Sequence, residues 1–383
     1  MKKIVIIGGG ISGLYITNLL RQNPSYEIIL YEKNNSINLE KGYGIQLSVN
    51  SIKLLNEIGF QSINLKNKFH PNKLDFYSLK NNKKICDLDI SAFNTNEAKY
   101  TTLQRLTLIN FLKDQLPNNL INYNKKVIHV NYEAENIKLT FENNTSVKCD
   151  YLIVSDGAFS KTKSLIAKKE INPRYFNSIA LRATIDKDNL KRINPNNISL
   201  SLGDNLHSVL YSINNSSIFN FVSIFRKKLT KNELSDYSFF ENEDFISSIL
   251  FEVSKQIDPD IVKNLKDIKC FPVFVSEKIY KPSNKNTFII GDAFFAFPPT
   301  FAQGASQSIE VAHEIYRNLE SENNQFLSKR IKRTKMINIK SKLNYFAFHL
   351  SNPLIIWIRN ILMNYLVKNK RFINNYLGKI YKD

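Results

Sequence analysis

The opening of the chain changes its hydrophobic rhythm twice. Lys3 to Ile7 is an apolar, β-branched run, Gly8 to Gly13 breaks it as a turn, Leu14 to Leu20 has helical spacing, and Glu27 to Tyr31 returns to a strand. The unit is βαβ. Asn50 to Ile58 predicts a short helix with Ile52, Leu54, Leu55 and Ile58 apolar, closed by Gly59 in a C-terminal cap position. A further helix is expected over Leu106 to Leu116, then strands over Lys126 to Tyr132, Ile137 to Glu142 and Tyr151 to Ser155, the last returning to the first sheet. From Ile179 onward the period is that of successive strands, Ile179 to Ile185, Ser208 to Ile213 and Ile218 to Phe225, joined by Asn-rich turns; this predicts an antiparallel sheet in a second domain. Lys231 to Ile257 is helix-rich, Thr287 to Ile290 rejoins the first sheet, and 301–383 is mainly helical.

The fold class expected is α/β: a Rossmann-like dinucleotide-binding domain with a parallel sheet, an antiparallel-sheet substrate domain and a helical C-terminus. The first domain is discontinuous, taking 1–70, 100–170 and 285–320, with 71–99 and 171–284 in the second and 321–383 as the helical region. A chain of 383 residues that is 43% hydrophobic suffices for two such packed domains. The start resembles a signal n-region, but its apolar run stops at glycine after a few residues, so no signal peptide is expected. The greasiest segment, Phe346 to Val367, contains His349, Asn352, Pro353, Arg359, Asn360 and Asn364, which argues against a membrane span. Cys86, Cys149 and Cys270 lie far apart without a CxxC pair, so neither a disulfide framework nor a metal site is expected, and a reducing cytoplasm fits.

The net charge of +19 is uneven: from position 330 on there are twelve Lys or Arg against the single acid Asp383. No helix-turn-helix, zinc finger or RNP-type aromatic motif accompanies it, so nucleic acid is not an expected partner. The tail reads as helices with a solvated basic face, or as a peripheral contact with an anionic membrane on its inner face that delivers a lipophilic substrate.

Three glycine-containing segments carry the chemistry. Gly8-Gly9-Gly10-Ile11-Ser12-Gly13 fits GxGxxG between a strand and a helix, with Glu32 at the end of the next strand. Such glycines let backbone N–H groups approach a pyrophosphate at a helix N-terminus, and the acid can accept from a ribose. NAD and FAD share this motif. Gly291-Asp292-Ala293 then follows a strand and leads through Pro298-Pro299 to Gln303-Gly304-Ala305 and a helix; an acid there can bind a ribityl or ribose hydroxyl, and the turn can offer N–H groups to an isoalloxazine or a phosphate. Asp156-Gly157 ends a third strand, again at the edge where open α/β sheets bind ligands.

With these motifs in this order, residues 3 to 320 or so resemble the single-component FAD-dependent aromatic hydroxylases, the group that includes salicylate, 4-hydroxybenzoate, kynurenine and ubiquinone-pathway hydroxylases. The resemblance implies that Gly8, Gly10, Ile11, Ser12, Gly13, Glu32 and Lys33 hold the ADP part of FAD, with Val127 also in contact. It assigns Asp292 to the ribityl or pyrophosphate region, Arg105 to the start of a flavin-contacting helix, and Asp156 to FAD and NAD(P)H binding, with Gly304 and Ala305 also cofactor-binding. Gly42 to Leu47, including Gly44, resembles the loop beside the flavin. It further implies that NAD(P)H, a transient co-substrate, reduces FAD, that O2 adds to give a flavin hydroperoxide, and that oxygen passes to a phenolic or aromatic-acid ring. Two positions depart from the family: Phe295 stands where a histidine is usual, which removes a polar group near the flavin, and Lys163 stands for an arginine.

For the substrate, His207 and Tyr211 lie four apart on one strand and so share a face. The spacing resembles that of the salicylate-type branch, and either residue could hydrogen-bond and help deprotonate a phenol, the ordinary pKa of histidine suiting that task. A core tyrosine and an exposed histidine are the plain structural alternative. Arg182, on a neighbouring strand, could bind a carboxylate. The other histidines have no partner spacing and are expected to be structural. A prenyl-lipid reductase that uses no O2, and a flavin-binding or membrane-surface protein without catalysis, are the competing functions; whether NAD(P)H bleaches the flavin separates the last of these. A disulfide reductase lacks its CxxxxC, and Trp357 as the sole tryptophan excludes WxWxIP. A monomer and a homodimer are equally compatible with the sequence.

Overall fold

The first strand, Lys2–Ile7, has Ile4, Val5 and Ile6 wholly buried, as a strand covered on both faces requires. It is the centre of a five-stranded parallel sheet in the order Thr287–Ile289, Tyr151–Val154, Lys2–Ile7, Tyr26–Tyr31, Ile121–Asn122. The computed structural model describes residues 1–37, 43–117, 119–190, 193–215, 217–321 and 326–381. Gly42, part of the expected flavin loop, lies outside them.

Helix Ile11–Leu20 is buried along its whole length. It packs against the long helix Gly304–Ser321 and helix Arg105–Asp114, and the Nδ2 of its buried Asn18 donates to the carbonyls of Leu14 (3.0 Å) and Leu112 (2.7 Å). A small antiparallel sheet, Val127–Tyr132, Ile137–Phe141 and Ser146–Cys149, packs Val127, Leu139 and Phe141 against the side of the parallel sheet that carries Val5 and Leu152.

The second sheet has seven strands: Lys266–Val275, Arg174–Asp186, Ile218–Arg226, Leu206–Ser212, Ile198–Leu202, Lys73–Ser78 and Lys84–Asp89. It is antiparallel apart from one parallel pair, Ile198–Leu202 with Lys73–Ser78. Period-two alternation gives each face its own core. Leu181, Ala183, Leu210 and Phe221 pack with helix Glu243–Ser254, while the opposite face meets the C-terminal helices and the loops of the parallel sheet. A third sheet of Gly44–Leu47, Thr101–Gln104 and Lys68–Phe69 links the two. Helices Phe326–Phe348 and Pro353–Leu366 complete the chain with short turns to Tyr381.

Candidate active site

The parallel strands end in register, and each gains one further ladder bond past its last residue: Gly8 N donates to Tyr31 O, Ser155 N to Ile7 O and Ile290 N to Val154 O, all at 2.8 Å. Glycine loop, Asp156-Gly157 and Gly291-Asp292 thereby stand side by side at the carboxyl edge of the sheet.

Their contacts explain the glycines. Gly8 has φ +102°, and a Cβ there would lie 2.6 Å from the Ser155 carbonyl oxygen; a Cβ on Gly13 would lie 2.0 Å from the oxygen of Gly8. A Cβ on Gly291, at φ +62°, would meet the Ser12 hydroxyl at 2.4 Å. Gly10 and Gly304 have open space instead. The first and third glycines of the motif thus serve close chain packing, and the second leaves room for a ligand.

The chemistry of the donor set fits FAD. Helix Ile11–Leu20 begins without a side-chain cap or an acid in its first turn, so the N–H groups of Ile11, Ser12 and Gly13 are available to a pyrophosphate. Glu32 is buried, accepting from Gly9 N (2.8 Å) and Asn34 N (3.0 Å), which fixes its carboxylate beside the loop. Gln303 is buried with its Nε2 unpartnered, immediately before Gly304. Asp156 accepts from Thr162 N at 3.2 Å, and its other oxygen is buried without a partner.

Arg105, first in its helix, and Asp292 both reach solvent, yet protein surrounds them closely enough that burial dominates their titration. It pushes the Asp292 carboxyl up, against the pull of Arg105, and pushes the Arg105 guanidinium down, against Asp292. The two groups, exposed yet closely surrounded, thus lie near each other at a solvent-open hollow beside the glycine loop. Lys163 is tied in as well, its ammonium donating to the Ala293 carbonyl at 2.9 Å.

Lys33 is exposed, and Val127 turns its side chain into the core beneath the sheet, so neither side chain joins this cluster. Phe295 is buried with Phe297, ring centroids 5.0 Å apart, in the core on one side of the parallel sheet.

Past the hollow lies an apolar cavity of about 260 Å³. Its walls are the inner face of the large sheet, the Pro299–Phe301 turn and the C-terminal helices and turns. Among the described residues the wall contains no Asp, Glu, Lys or Arg. Two hydrogen-bonded polar seams cross it; in one, Tyr376 Oη donates to Asn344 Oδ1. In the other, Tyr100 Oη donates to Gln46 Oε1 at 2.8 Å, and the Tyr381 ring packs beside that of Tyr100, centroids 5.9 Å apart. Sequence reasoning missed Tyr100 and Tyr381; Gln46 carried a signal, since it lies in the segment that resembles the flavin loop.

His207, Tyr211 and Arg182 share the inner face of the sheet, as the pairing of Val209 with Val222 and of Val222 with Arg182 requires. The structure does not bring all three together. His207 lines the cavity, whereas Tyr211 lies one layer back, where a Cβ on Gly44 would touch its ring at 2.8 Å. Arg182 sits 5.8 Å over the Tyr43 ring, close enough to influence Arg105 and Tyr211, on the side of the hollow. No part of the cavity wall is Arg182, so the carboxylate role expected for it is unsupported there.

His207 is 2% exposed, not surface-lying, and its Nδ1 is 2.7 Å from His349 Nε2, which gives His349 the partner its sequence spacing did not suggest. Burial pushes His207 down to about 3 and His349 to about 2, so both rings are neutral at physiological pH and His207 is a weaker proton acceptor than an ordinary histidine. Each ring binds its proton more readily unfolded than folded. The pair's contribution to stability is therefore complete above pH 6.5 and is lost as pH falls towards 3. Denaturant midpoints measured across that interval are expected to fall less steeply for H207L/H349L than for the unaltered protein; equal slopes would contradict the burial of the pair.

Comparison with known proteins bears on this cradle directly. A family described as FAD binding domain matches residues 1–325. The chain belongs to that family. Its relatives are FAD-dependent aromatic monooxygenases, among them a 3-amino-4-hydroxybenzoate 2-monooxygenase of Streptomyces platensis, 22% identical over 314 residues that cover 81% of this chain and 77% of the relative. Among solved structures, Klebsiella pneumoniae HpxO complexed with FAD and uric acid superposes with a TM-score of 0.84 at 15% identity over 99% of this chain and 96% of its own. A salicylate hydroxylase substrate complex gives 0.79 at 14% over 100% and 95%. These likenesses establish the fold; the flavoprotein assignment rests on the family match and on the fit of the glycine cradle. Among the described residues no helix is long and apolar enough to cross a membrane, and no cluster could hold a metal ion.

Proposed function

We propose that this flavoprotein uses NAD(P)H and O2 to hydroxylate a neutral, phenol-type aromatic ring held in the apolar cavity. The observation that carries the reading is a charge-free cavity sharing the Pro299–Phe301 turn and the Gly44–Leu47 strand with the FAD cradle. On this reading 1–70, 100–170 and 285–320 hold the cofactor, and 71–99 with 171–284 face the substrate. Gly8, Gly10, Ile11, Ser12 and Gly13 present backbone to the pyrophosphate, Glu32 orients the ribose, Arg105 and Asp292 meet the ribityl region, and Gly304 and Ala305 offer N–H groups to the ring system. Bound FAD supplies the oxygen-activating chemistry.

The chain's own part is binding, orientation and exclusion of water. Apolar walls such as Leu200, Phe348 and Phe301 cover the ring, and the Gln46–Tyr100 seam holds its hydroxyl. With Nδ1 engaged by His349, His207 has Nε2 left to accept a hydrogen bond from the substrate. An ionised aromatic acid would lose its hydration here without gaining a counter-charge, which favours neutral substrates over acids.

The test is oxygen uptake by the FAD-loaded protein with NADH or NADPH against matched pairs of neutral phenols and aromatic carboxylates, with product analysis. Neutral phenols are expected to stimulate uptake at least tenfold more than their carboxylated counterparts and to yield hydroxylated product. Preference for the acids would overturn the substrate class, and flavin reduction without substrate-linked oxygen uptake would point to a reductase.

A further inference from the structure

Helix Pro353–Leu366 leaves most of its apolar side chains outside, beyond Met363 and Leu366 that face the cavity. Its outward face carries Leu354, Ile355, Trp357, Ile358, Ile361, Leu362 and Tyr365, all exposed, with Trp357 at 62%. Its inward face carries the buried Arg359, which donates to the Ala347 carbonyl at 3.0 Å and to Asn360 Oδ1. A surface helix ordinarily does the reverse, and an apolar patch of several hundred Å² on a soluble protein marks a surface that something covers. The patch continues onto the preceding helix, Phe326–Phe348, where exposed Ile339, Leu343 and Phe346 are spaced four and three apart and so share one face.

Charge selects the occupant. From Phe326 to Tyr381 there are twelve Lys or Arg and no acid, and exposed Lys368, Lys370 and Arg371 follow the helix directly. Two copies meeting face to face would set like charges against each other, whereas anionic headgroups complement them. Leu343 both lines the apolar cavity and is 59% exposed on this surface, and Met363 and Leu366 line the cavity from the helix itself. The patch and the cavity therefore share a wall.

We propose that this face rests on an anionic lipid bilayer, lying in the interface without crossing it, and that the cavity takes neutral apolar rings from the lipid. The second clause rests on the hydroxylase reading; the docking does not, and is measured without turnover.

Trp357 is the only tryptophan, so tryptophan emission, excited selectively over the tyrosines, reports on this face alone. Holoprotein mixed with vesicles of phosphatidylglycerol and phosphatidylcholine is expected to co-sediment, with blue-shifted Trp emission, at least tenfold more strongly than with phosphatidylcholine alone. I361E/L362E, at two exposed positions, is expected to lose this binding at least tenfold while keeping its melting temperature and flavin content. Protein left in the supernatant at low salt would overturn the proposal. So would co-sedimentation without a Trp shift and unaffected by I361E/L362E, which would mean charge alone. A blue shift that grows with protein concentration in the absence of vesicles would assign the face to a second copy instead.

Discussion

Gly13→Ala is expected to destabilise the apoprotein by about 3 kcal/mol or more, because the new methyl would sit 2.0 Å from the Gly8 carbonyl oxygen and 2.6 Å from the Ser155 hydroxyl, in a place where backbone has nowhere to retreat. Gly10→Ala is expected to do the opposite. Nothing lies within 4 Å of its added carbon, so the apoprotein should melt unchanged, while FAD binding weakens on the order of 100-fold, about 2.8 kcal/mol, as the methyl occupies the approach to the pyrophosphate. Thermal melts of the two apoproteins and FAD titration of each decide the matter. Equal melting temperatures, or full FAD affinity in G10A, would show that the glycines are not divided between packing and ligand clearance in this way.

The second large effect is expected at Glu310. This buried carboxylate, in the helix that follows the Gln303-Gly304 turn, takes a bidentate pair of bonds from Arg333 (2.7 and 2.9 Å) and one from the buried Arg330 (2.9 Å). Arg333 also donates to the carbonyls of Lys379 and Ile380, both at 2.8 Å, directly before the cavity residue Tyr381. Removing one partner of a buried charged cluster leaves the rest uncompensated, so Glu310→Ala should cost about 3–5 kcal/mol. Loosening of the Tyr381 turn should appear with it as a raised KM.

Burial acts to raise the Glu310 carboxyl, but Arg333 and Arg330 together outweigh it and hold the group below its ordinary value of 4.5. A lowered carboxyl stabilises the fold above pH 4.5, and that contribution is lost as pH falls through the folded value. Glu310→Gln should therefore flatten the acid limb of the stability profile. Urea midpoints across pH 2–6 check this, and an unchanged acid limb would remove the cluster from the account of acid sensitivity.

The cofactor half of the molecule was legible because its signals are local. A β-branched run, three glycines and an acid at the next strand end lie within a short stretch, and their roles follow from backbone geometry. The large sheet was legible only in part. Lys266–Val275 contains Pro272, which argues against a strand except at an edge, and an edge is where it lies. Lys84–Asp89, the other edge, is half charged, with Lys84 paired to Asp75 and Asp87. Neither reads as a strand from pattern alone.

The apolar cavity was least legible. His207 meets His349 from 142 positions away, and Tyr381 reaches Tyr100 through the fold of the C-terminal helices. Such partnerships belong to tertiary packing and leave no period in the sequence. Lys163 shows the intermediate case. Its charge was readable as a departure from arginine, but its acceptor, the Ala293 carbonyl, was not.

The three cofactor segments grip one another: Gly8 against Ser155, Gly291 against Ser12, Lys163 on Ala293. The cavity is walled mostly by other residues, on the inner sheet face and the C-terminal helices. Substitutions at Leu343, Met363 or Phe372 can reshape what the cavity admits while every contact within the cradle stays as it is. On the proposed function, diet and chemistry are thus separately heritable in this chain: selection could try new substrates on one set of positions without risking the other.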